Sequence, residues 1–277
     1  MSSRPIHPAG AICALACVST RWAPIVNGIA YHGGLFPYGS TFFVFSDYMR
    51  PALRISALAH LHTLWIFTHD SVWVGEDGPT HQPVEQVASL RAMPNMTVIR
   101  PADANEVVEA YRFALSHDGP VALVLSRQGL PVFDRQRLGS ARGVYRGAYV
   151  LSDAEGQPDV ILIATGSEVT LALEAQARLA GRSVKARVVS MPCWKLFDQQ
   201  PPEYRQSVLP PGVKARVAIE AGASIGWHKY VGEGGRIIAQ DGFGASAPYK
   251  ALVQEFGFTV ERVAEEALQA LSAVAER

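Results

Sequence analysis

Two short runs of consecutive apolar residues limit the folds that are open to this chain. They occupy residues 121–125 and 160–164. A strand with one wet face alternates apolar and polar residues, whereas an unbroken apolar run is typical of a strand covered on both faces of a parallel sheet. Parallel strands need long crossover connections, which are usually helices. The runs therefore predict an α/β fold in which helices flank parallel sheets.

Strand-like and helix-like patterns alternate along the whole chain. Further strands are predicted at 64–67, 97–99, 186–189, 216–219 and 236–239, and helices at 42–61, 83–93, 105–116, 168–180 and 260–275. Residues 129–147 break this alternation with proline, glycine and mixed charge, which is typical of a linker. We expect two domains with mostly parallel sheets, at residues 27–134 and 149–277, joined by a linker at 135–148 and preceded by a divergent segment at 1–26.

Composition excludes several classes of protein. The formal net charge is zero, with 48% hydrophobic and 18% charged residues, so neither a nucleic-acid footprint nor an acidic tail is present. Three cysteines are too few for a disulfide framework, which favours a reducing cytoplasm. Cys13 and Cys17 have helical spacing without a histidine pair, so we interpret them as thiols and not as metal ligands. The apolar residues 9–18 are shorter than the roughly 18 needed for a membrane span, and no clear cleavage site supports a signal peptide.

A polar loop at residues 69–83 follows the predicted strand 64–67. It holds two histidines and three acids and is interrupted by glycine and proline. Unpartnered charge is too costly to bury, and α/β enzymes place their chemistry on loops after strands. The four-residue spacing of Asp77 and His81 could suggest a metal pair, but no third ligand of suitable type lies nearby. We therefore expect a site without a metal ligand at this strand end.

Several segments resemble the C-terminal half of transketolases. They are residues 32–42, 68–83, 100–103, 125–128, 163–168, 220–222, 226–230 and 243–248. The resemblance runs from about Asn27 to the end of the chain. Other thiamine enzymes of similar architecture, such as the β subunit of a 2-oxo acid dehydrogenase or a deoxyxylulose phosphate synthase, remain alternatives. The loop at 75–83 and Arg127 fit transketolase better.

The resemblance implies a transferase that moves a two-carbon ketol unit between sugar phosphates, in the pentose phosphate pathway or in carbon fixation. It implies thiamine diphosphate and magnesium as cofactors. Transketolases have a diphosphate-binding, a pyrimidine-binding and a C-terminal domain, and this sequence resembles most of the second and all of the third. We therefore expect a homodimer, or a partner chain that carries the diphosphate-binding domain, and neither nucleic acid nor membrane as partner.

Three aromatic residues have two interpretations. Phe42, Phe45 and Tyr48 recur every three residues, which on spacing alone indicates the buried stripe of a helix. The resemblance instead implies that they hold the aminopyrimidine ring of the cofactor, because aromatic faces suit a flat heterocycle.

The resemblance also implies roles for four polar residues. His69 and Arg127 correspond to the pair that binds the sugar phosphate, and a guanidinium group matches phosphate oxygens well. Asp77 corresponds to the aspartate that contacts the C2 hydroxyl of the donor sugar. His81 corresponds to the catalytic histidine beside the C1 hydroxyl and the reacting carbonyl.

The sequence departs from the family pattern at three positions. The family glutamate that activates the aminopyrimidine ring lies eight residues before Asn27, where this chain has Ser19, and a serine cannot accept that proton. Pro24 is expected to disturb the helix there. Trp73 replaces the usual glycine, and we expect its indole to narrow the site or to cover a surface for the diphosphate domain.

The remaining polar residues of these segments receive structural interpretations. Asp70, Glu76 and Glu85 are expected to serve loop and helix hydrogen bonds, with Glu85 in the first turn of the helix after Pro83. The Gly166-Ser167 turn is interpreted as a structural helix cap. Two hypotheses about activity follow, namely an enzyme component that needs a diphosphate domain from elsewhere, and an inactive fragment that acts only as a folded dimerising module.

Overall fold

The computed structural model describes residues 14–16 and 19–276, and it contains two sheets that follow one another along the chain. The first sheet consists of β1 (Ala14–Ala16), β2 (Tyr38–Phe42), β3 (Leu64–Thr68), β4 (Thr97–Ile99) and β5 (Val121–Val124). The second consists of β6 (Tyr149–Ser152), β7 (Val160–Ala164), β8 (Ala186–Ser190), β9 (Arg216–Ile219) and β10 (Arg236–Ile238).

Helices cover both sheets. Those of the first half are α1 (Ser19–His32), α2 (Ser46–Leu58), α3 (Gln86–Arg91) and α4 (Ala104–Ser116). Those of the second half are α5 (Glu168–Ala180), α6 (Trp194–Asp198), α7 (Pro202–Val208), α8 (His228–Val231), α9 (Tyr249–Glu255) and α10 (Val260–Ala275). Three tighter 3-10 segments lie at Phe43–Phe45, Val72–Asp77 and Ala141–Arg146.

The sheet topology confirms the predicted fold class. The first sheet has the order β1-β2-β3-β5-β4 and is parallel throughout. The second has the order β10-β9-β7-β8-β6, in which only the edge strand β6 runs antiparallel. Every residue of β5 and β7 is buried, as their unbroken apolar runs predict.

Two predicted helices need correction. Residues 42–61 do not form one helix, because β2 ends at Phe42 and a 3-10 turn precedes α2. The small polar residues of β2 hide its strand character from the apolar pattern. The helix predicted at 83–93 is limited to α3, so Glu85 is the residue that precedes the helix and does not lie in its first turn.

The beginning of the described chain packs on the first sheet. Helix α1 is continuous through Pro24, so the expected disturbance was wrong. Pro24 is exposed, and its ring faces solvent while Trp22 and Val26 enter the core. The proposed boundary at residue 27 falls inside this helix. Cys13 and Cys17 lie outside the described residues, and Cys193 is buried with its thiol pKa raised to about 11 by burial.

A buried guanidinium joins the two halves. Arg100 follows β4, is 1% exposed, and donates through Nε to Asp70 Oδ2 at 2.9 Å. On the other side it pairs with Glu168, the first residue of α5, and donates to the Thr165 carbonyl at 2.9 Å. Burial favours the neutral form of Glu168, but Arg100 outweighs it and holds the pKa of that carboxyl below its ordinary value.

A second buried cluster lies at the same interface between the two halves, which we call the seam. Glu106 of α4 accepts hydrogen bonds at 2.6 Å from Tyr149 Oη and from Ser190 Oγ. Asp103 caps α4 by accepting from the Glu106 amide at 3.0 Å. Arg135 then links Asp103 to the Tyr149 hydroxyl. The buried hydrogen bonds of Glu106 with Tyr149 and Ser190 therefore join the two sheets.

Among residues 14–16 and 19–276, no helix combines the length and the apolar character that crossing a bilayer requires.

We expect Arg100→Met to lower the free energy of unfolding by about 3–5 kcal/mol, because two buried carboxylates lose their cation. Urea unfolding monitored by circular dichroism measures this loss. Arg178→Met is the matched control, since its pair with Glu261 is about half exposed on both sides and contributes about 0–1 kcal/mol. Equal losses in both variants would contradict the role given to Arg100.

Candidate active site

The predicted site residues converge at the carboxyl edge of the first sheet. Strands β2, β3 and β5 are parallel neighbours, so the residues that follow them meet at one edge. Phe42 ends β2, His69 follows β3, and Arg127 lies three residues after β5. The loop after His69 then returns Asp77 and His81 towards the same edge.

The three aromatic residues lie on three kinds of local structure. Phe42 ends a strand, Phe45 belongs to the 3-10 turn, and Tyr48 lies in α2, so the interpretation based on spacing alone, a single helical stripe, was wrong. The rings still form one cluster, with centroids 6.0 Å apart for Phe42 and Phe45 and 6.1 Å apart for Phe45 and Tyr48. The planes of the two phenylalanines differ by only 4°. Tyr48 is 61% exposed, so this cluster offers aromatic surface to a ligand.

His69 is held in an unusual backbone conformation. Its φ is 61°, a left-handed value that costs a residue with a β-carbon on the order of 1 kcal/mol. The ring stacks on Phe42 with a centroid distance of 3.7 Å, and Nδ1 lies 3.0 Å from Thr68 Oγ1. Burial and the positive charge of Arg127 lower the His69 pKa, whereas Asp77 and Asp70 act in the opposite direction. The imidazole is therefore predominantly neutral at pH 7.

The loop that carries Asp77 and His81 is tightly folded. It begins with the 3-10 segment Val72–Asp77 and reverses at Gly75, whose φ of 83° disfavours any other residue. Asp77 is exposed, and His81 is half-buried with its ring edge-on to Phe45 at 5.6 Å. His81 Nδ1 lies 2.9 Å from Thr80 Oγ1. An acid, an imidazole and an aromatic face thus share one small region.

Trp73 does not lie where the sequence analysis expected. Its side chain is 4% exposed and packs edge-on against Phe258, at 5.2 Å between ring centroids. Its indole Nε1 donates to Glu168 Oε1 at 2.9 Å. The expectation that Trp73 narrows the site or covers a docking surface was therefore wrong, because the indole is part of the core between the two sheets.

The cap expected at Ser167 is also different. Ser167 precedes α5, but its hydroxyl donates to Glu168 Oε1 at 2.7 Å and accepts no hydrogen bond from the helix backbone. Glu168 instead collects Arg100, Trp73 and the Ala221 amide. Asp70, expected to serve a loop, is 2% exposed and pairs with Arg100. Burial is the main reason why the Asp70 pKa lies above its ordinary value.

Sequence reasoning missed the residues that hold the loop. Gln82 is 3% exposed, and Ser246 donates to the Glu76 carbonyl at 2.6 Å. The only local signal that Gln82 holds the loop is its place in the sequence, directly after a site histidine and before Pro83. Nothing in the local pattern indicates Ser246, because its contact spans 170 residues.

One cavity of about 400 Å³ lies between α3 and α6 and contains none of the predicted site residues. Its two cations are already engaged, since Arg91 pairs with Glu220 at 2.7 Å and Lys195 donates to the Asn95 carbonyl at 2.8 Å. We therefore place the candidate site at the sheet edge and not in this cavity. Within the described residues, no three His, Cys, Asp or Glu side chains are grouped so that they could hold a metal ion.

Two family matches cover most of the chain. Residues 22–132 match the family described as "Transketolase, pyrimidine binding domain", and residues 147–259 match "Transketolase-like TK C-terminal domain".

Similar proteins and structures are transketolases. The transketolase of Aquifex aeolicus is 54% identical over 246 residues, which cover 88% of this chain and 36% of that protein. A transketolase from Pichia stipitis in complex with sedoheptulose 7-phosphate superposes with a TM-score of 0.87 at 41% identity, covering 94% of this chain and 37% of that one. A structure described as a split gene transketolase, inactive beta4 tetramer, gives a TM-score of 0.75 at 25% identity and covers 93% and 83%. This chain spans about a third of the length of the curated relatives it matches.

The pKa of His69 tests the geometry of the edge. Because Arg127 lowers this pKa and Asp77 raises it, we expect Arg127→Ala to raise it and Asp77→Asn to lower it further. An NMR titration of the imidazole carbon signals measures both shifts. The exposed linker residue Arg142 provides the control variant Arg142→Ala, which leaves the pKa unchanged. A pKa that is the same in all three variants would place Arg127 and Asp77 away from His69.

Proposed function

Because this chain belongs to the transketolase family, we propose that it supplies the pyrimidine-binding and C-terminal parts of a transketolase site. The reaction is transfer of a two-carbon ketol unit from a ketose phosphate to an aldose phosphate. The diphosphate-binding part comes from residues outside these 277, in the same polypeptide or in a partner. The observation that carries this proposal is the meeting of the aromatic cluster, His69, the loop and Arg127 at one sheet edge.

The aromatic cluster fits one end of thiamine diphosphate. Phe42, Phe45 and Tyr48 present partly exposed rings, on which the flat aminopyrimidine can pack. When bound, thiamine diphosphate supplies the nucleophilic carbon that carries the two-carbon unit. Its diphosphate and magnesium ion need oxygen and amide ligands, which we assign to the diphosphate-binding part.

His69 and Arg127 are proposed to bind the phosphate end of the sugar. Arg127 is exposed, and its guanidinium offers the donor geometry that phosphate oxygens match. His69 uses Nδ1 for Thr68, so Nε2 is the ring nitrogen that remains for a ligand. The arriving phosphate adds negative charge, which raises the pKa of the imidazole and strengthens its hold.

Asp77 and His81 are proposed to act nearer the reacting carbon. The Asp77 carboxylate accepts a hydrogen bond from a sugar hydroxyl, and a sugar that lacks this hydroxyl leaves a desolvated carboxylate unpaired. His81 lies against Phe45, so its imidazole is next to the aromatic surface assigned to the cofactor. From there it donates to the carbonyl oxygen or the C1 hydroxyl of the sugar. It moves a proton when the carbonyl carbon changes its bonding.

An apolar stripe on α2 supports docking of the diphosphate-binding part. Tyr48, Pro51, Ile55 and Leu58 are all exposed, and their spacings of three, four and three residues place them on one helix face. Ile55 is 48% and Leu58 64% exposed. The stripe begins at the aromatic cluster, so a subunit that covers it also reaches the cofactor. We propose that a diphosphate-binding chain, or a second copy of this protein, docks here.

An inactive module is the second candidate, and Ser19 favours it. Helix α1 begins at Ser19, the position where the family pattern has the activating glutamate. A hydroxyl neither carries negative charge at pH 7 nor takes up the proton as a carboxylate does. Under this alternative the chain binds its partner through α2 but does not turn over substrate. The similar split gene structure is itself described as inactive.

Reconstitution distinguishes the two candidates. We expect the chain, mixed with a diphosphate-domain partner, thiamine diphosphate and magnesium, to transfer the ketol unit of xylulose 5-phosphate slowly. Ser19→Glu is expected to increase turnover by about a hundredfold or more, because it restores the acid–base group. Asp77→Ala in that background should abolish selection for hydroxylated substrates. Asp118→Ala changes an exposed acid at the opposite edge of the sheet and serves as control. A partner that binds without turnover, with or without Ser19→Glu, would establish the inactive module.

Docking on α2 has its own test. We expect Leu58→Arg to weaken association with the partner, or self-association, by at least tenfold, because a charge then faces an apolar surface. Analytical ultracentrifugation or calorimetry measures the change. Leu115→Arg is the matched control, since Leu115 is 49% exposed on α4 and outside the stripe. Equal association constants for Leu58→Arg and the wild-type chain would exclude α2 as the interface.

A further inference from the structure

The loop that carries Asp77 and His81 is held from the second half of the chain. Gln82 donates from a single amide nitrogen, Nε2, to the Gly75 carbonyl and to the Ala245 carbonyl, both at 2.9 Å. Ser246 donates to the Glu76 carbonyl at 2.6 Å. The carbonyls of the consecutive residues Gly75 and Glu76 are therefore held by side-chain donors. One of these donors, Gln82, also binds the Ala245 carbonyl in the segment before α9.

The fit between loop and segment leaves little room. A β-carbon on Gly244 would lie 1.7 Å from Gln82 Oε1, so any other residue at this position would displace the Gln82 amide. The Gly75 backbone faces the Tyr249 amide, with 3.5 Å from the position of a β-carbon to that nitrogen. The Gly78 amide also donates to the Gly75 carbonyl, at 3.1 Å, and closes the turn between them.

Both proposed substrate ligands are direct chain neighbours of these contacts. Asp77 follows Glu76, whose carbonyl Ser246 holds, and His81 precedes Gln82. Asp77 is exposed and His81 half-buried, and among the residues that the structure describes neither has a buried side-chain hydrogen-bond partner of its own. Their positions therefore depend on the loop backbone, which residues 244–249 contact through Ala245, Ser246 and Tyr249.

We infer that Gln82 and Ser246 are positioning residues, through which the C-terminal domain sets the shape of the substrate loop. They touch neither sugar nor cofactor and act through the Gly75 and Glu76 carbonyls, which directly precede Asp77 in the loop. The link to substrate selection rests on the proposed function. The mechanical part, which is the effect of these two residues on the shape of the loop, concerns this chain alone. The second domain thereby contributes to substrate selection without contributing a ligand.

Hydrogen exchange of the isolated chain tests the mechanical part. We expect Gln82→Leu to increase exchange of the amides of residues 72–82 by about tenfold and Ser246→Ala by about threefold, as the loss of two and of one hydrogen bond implies. Gln82→Glu keeps the shape but loses the paired donors, so it should resemble Gln82→Leu. Gln176→Leu is the matched control, because Gln176 donates to the Ala186 carbonyl at 2.8 Å far from the loop. Loop exchange that does not change in Gln82→Leu, or rises equally in Gln176→Leu, would overturn the inference.

Substrate selection in the reconstituted enzyme tests the positioning part. With Ser19→Glu as background, Gln82→Leu should lower kcat/KM for a hydroxylated substrate at least tenfold while changing that for its deoxy analogue less than threefold. A variant that is only less stable loses kcat/KM for both substrates to the same extent, and that result would overturn the positioning role. If the background enzyme has no turnover while loop exchange responds as expected, the proposed function fails and the contact between loop and C-terminal domain stands. If the background enzyme has no turnover and loop exchange does not change in Gln82→Leu, both the proposed function and the positioning role are wrong.

Discussion

The buried guanidinium of Arg100 is the interaction on which the rest of the structure depends. A cation that is withdrawn from water must find anions, and here one comes from each half, Asp70 and Glu168. This requirement fixes how the two sheets face each other. It also reaches the candidate site, because Asp70 is the chain neighbour of His69, and Trp73 shares Glu168 with the same guanidinium.

The polar residues of the seam and those of the sheet edge differ in how their hydrogen bonds are satisfied. Those of the seam, such as Glu106 and Arg100, are buried and fully engaged by other parts of the protein. Those of the sheet edge, such as Asp77 and Arg127, are exposed. Groups that already have partners give rigidity, whereas groups without fixed partners can bind a ligand. The two groups are adjacent, so a rigid seam supports an open edge.

Sequence reasoning predicted the fold where burial leaves a local pattern. Strands such as β5 and β7 are apolar throughout, and α10 has one apolar face. Strand β2 was not predicted, because its glycine, serine and threonine do not form such an apolar pattern. The candidate site residues followed from family resemblance and not from spacing. The surroundings of Trp73 could not be predicted, because its partner Glu168 lies 95 residues away and no local rule reaches that far.

The contacts of the substrate loop also affect the order in which the chain can mature. Gln82 and Ala245 are separated by 163 residues, and Glu76 and Ser246 by 170. During synthesis the loop emerges from the ribosome long before the segment that shapes it, and loop closure over such distances is slow. The arrangement of the proposed ligands is therefore among the last features to form. A nascent or cleaved chain that ends before residue 244 carries every proposed ligand and yet lacks their arrangement.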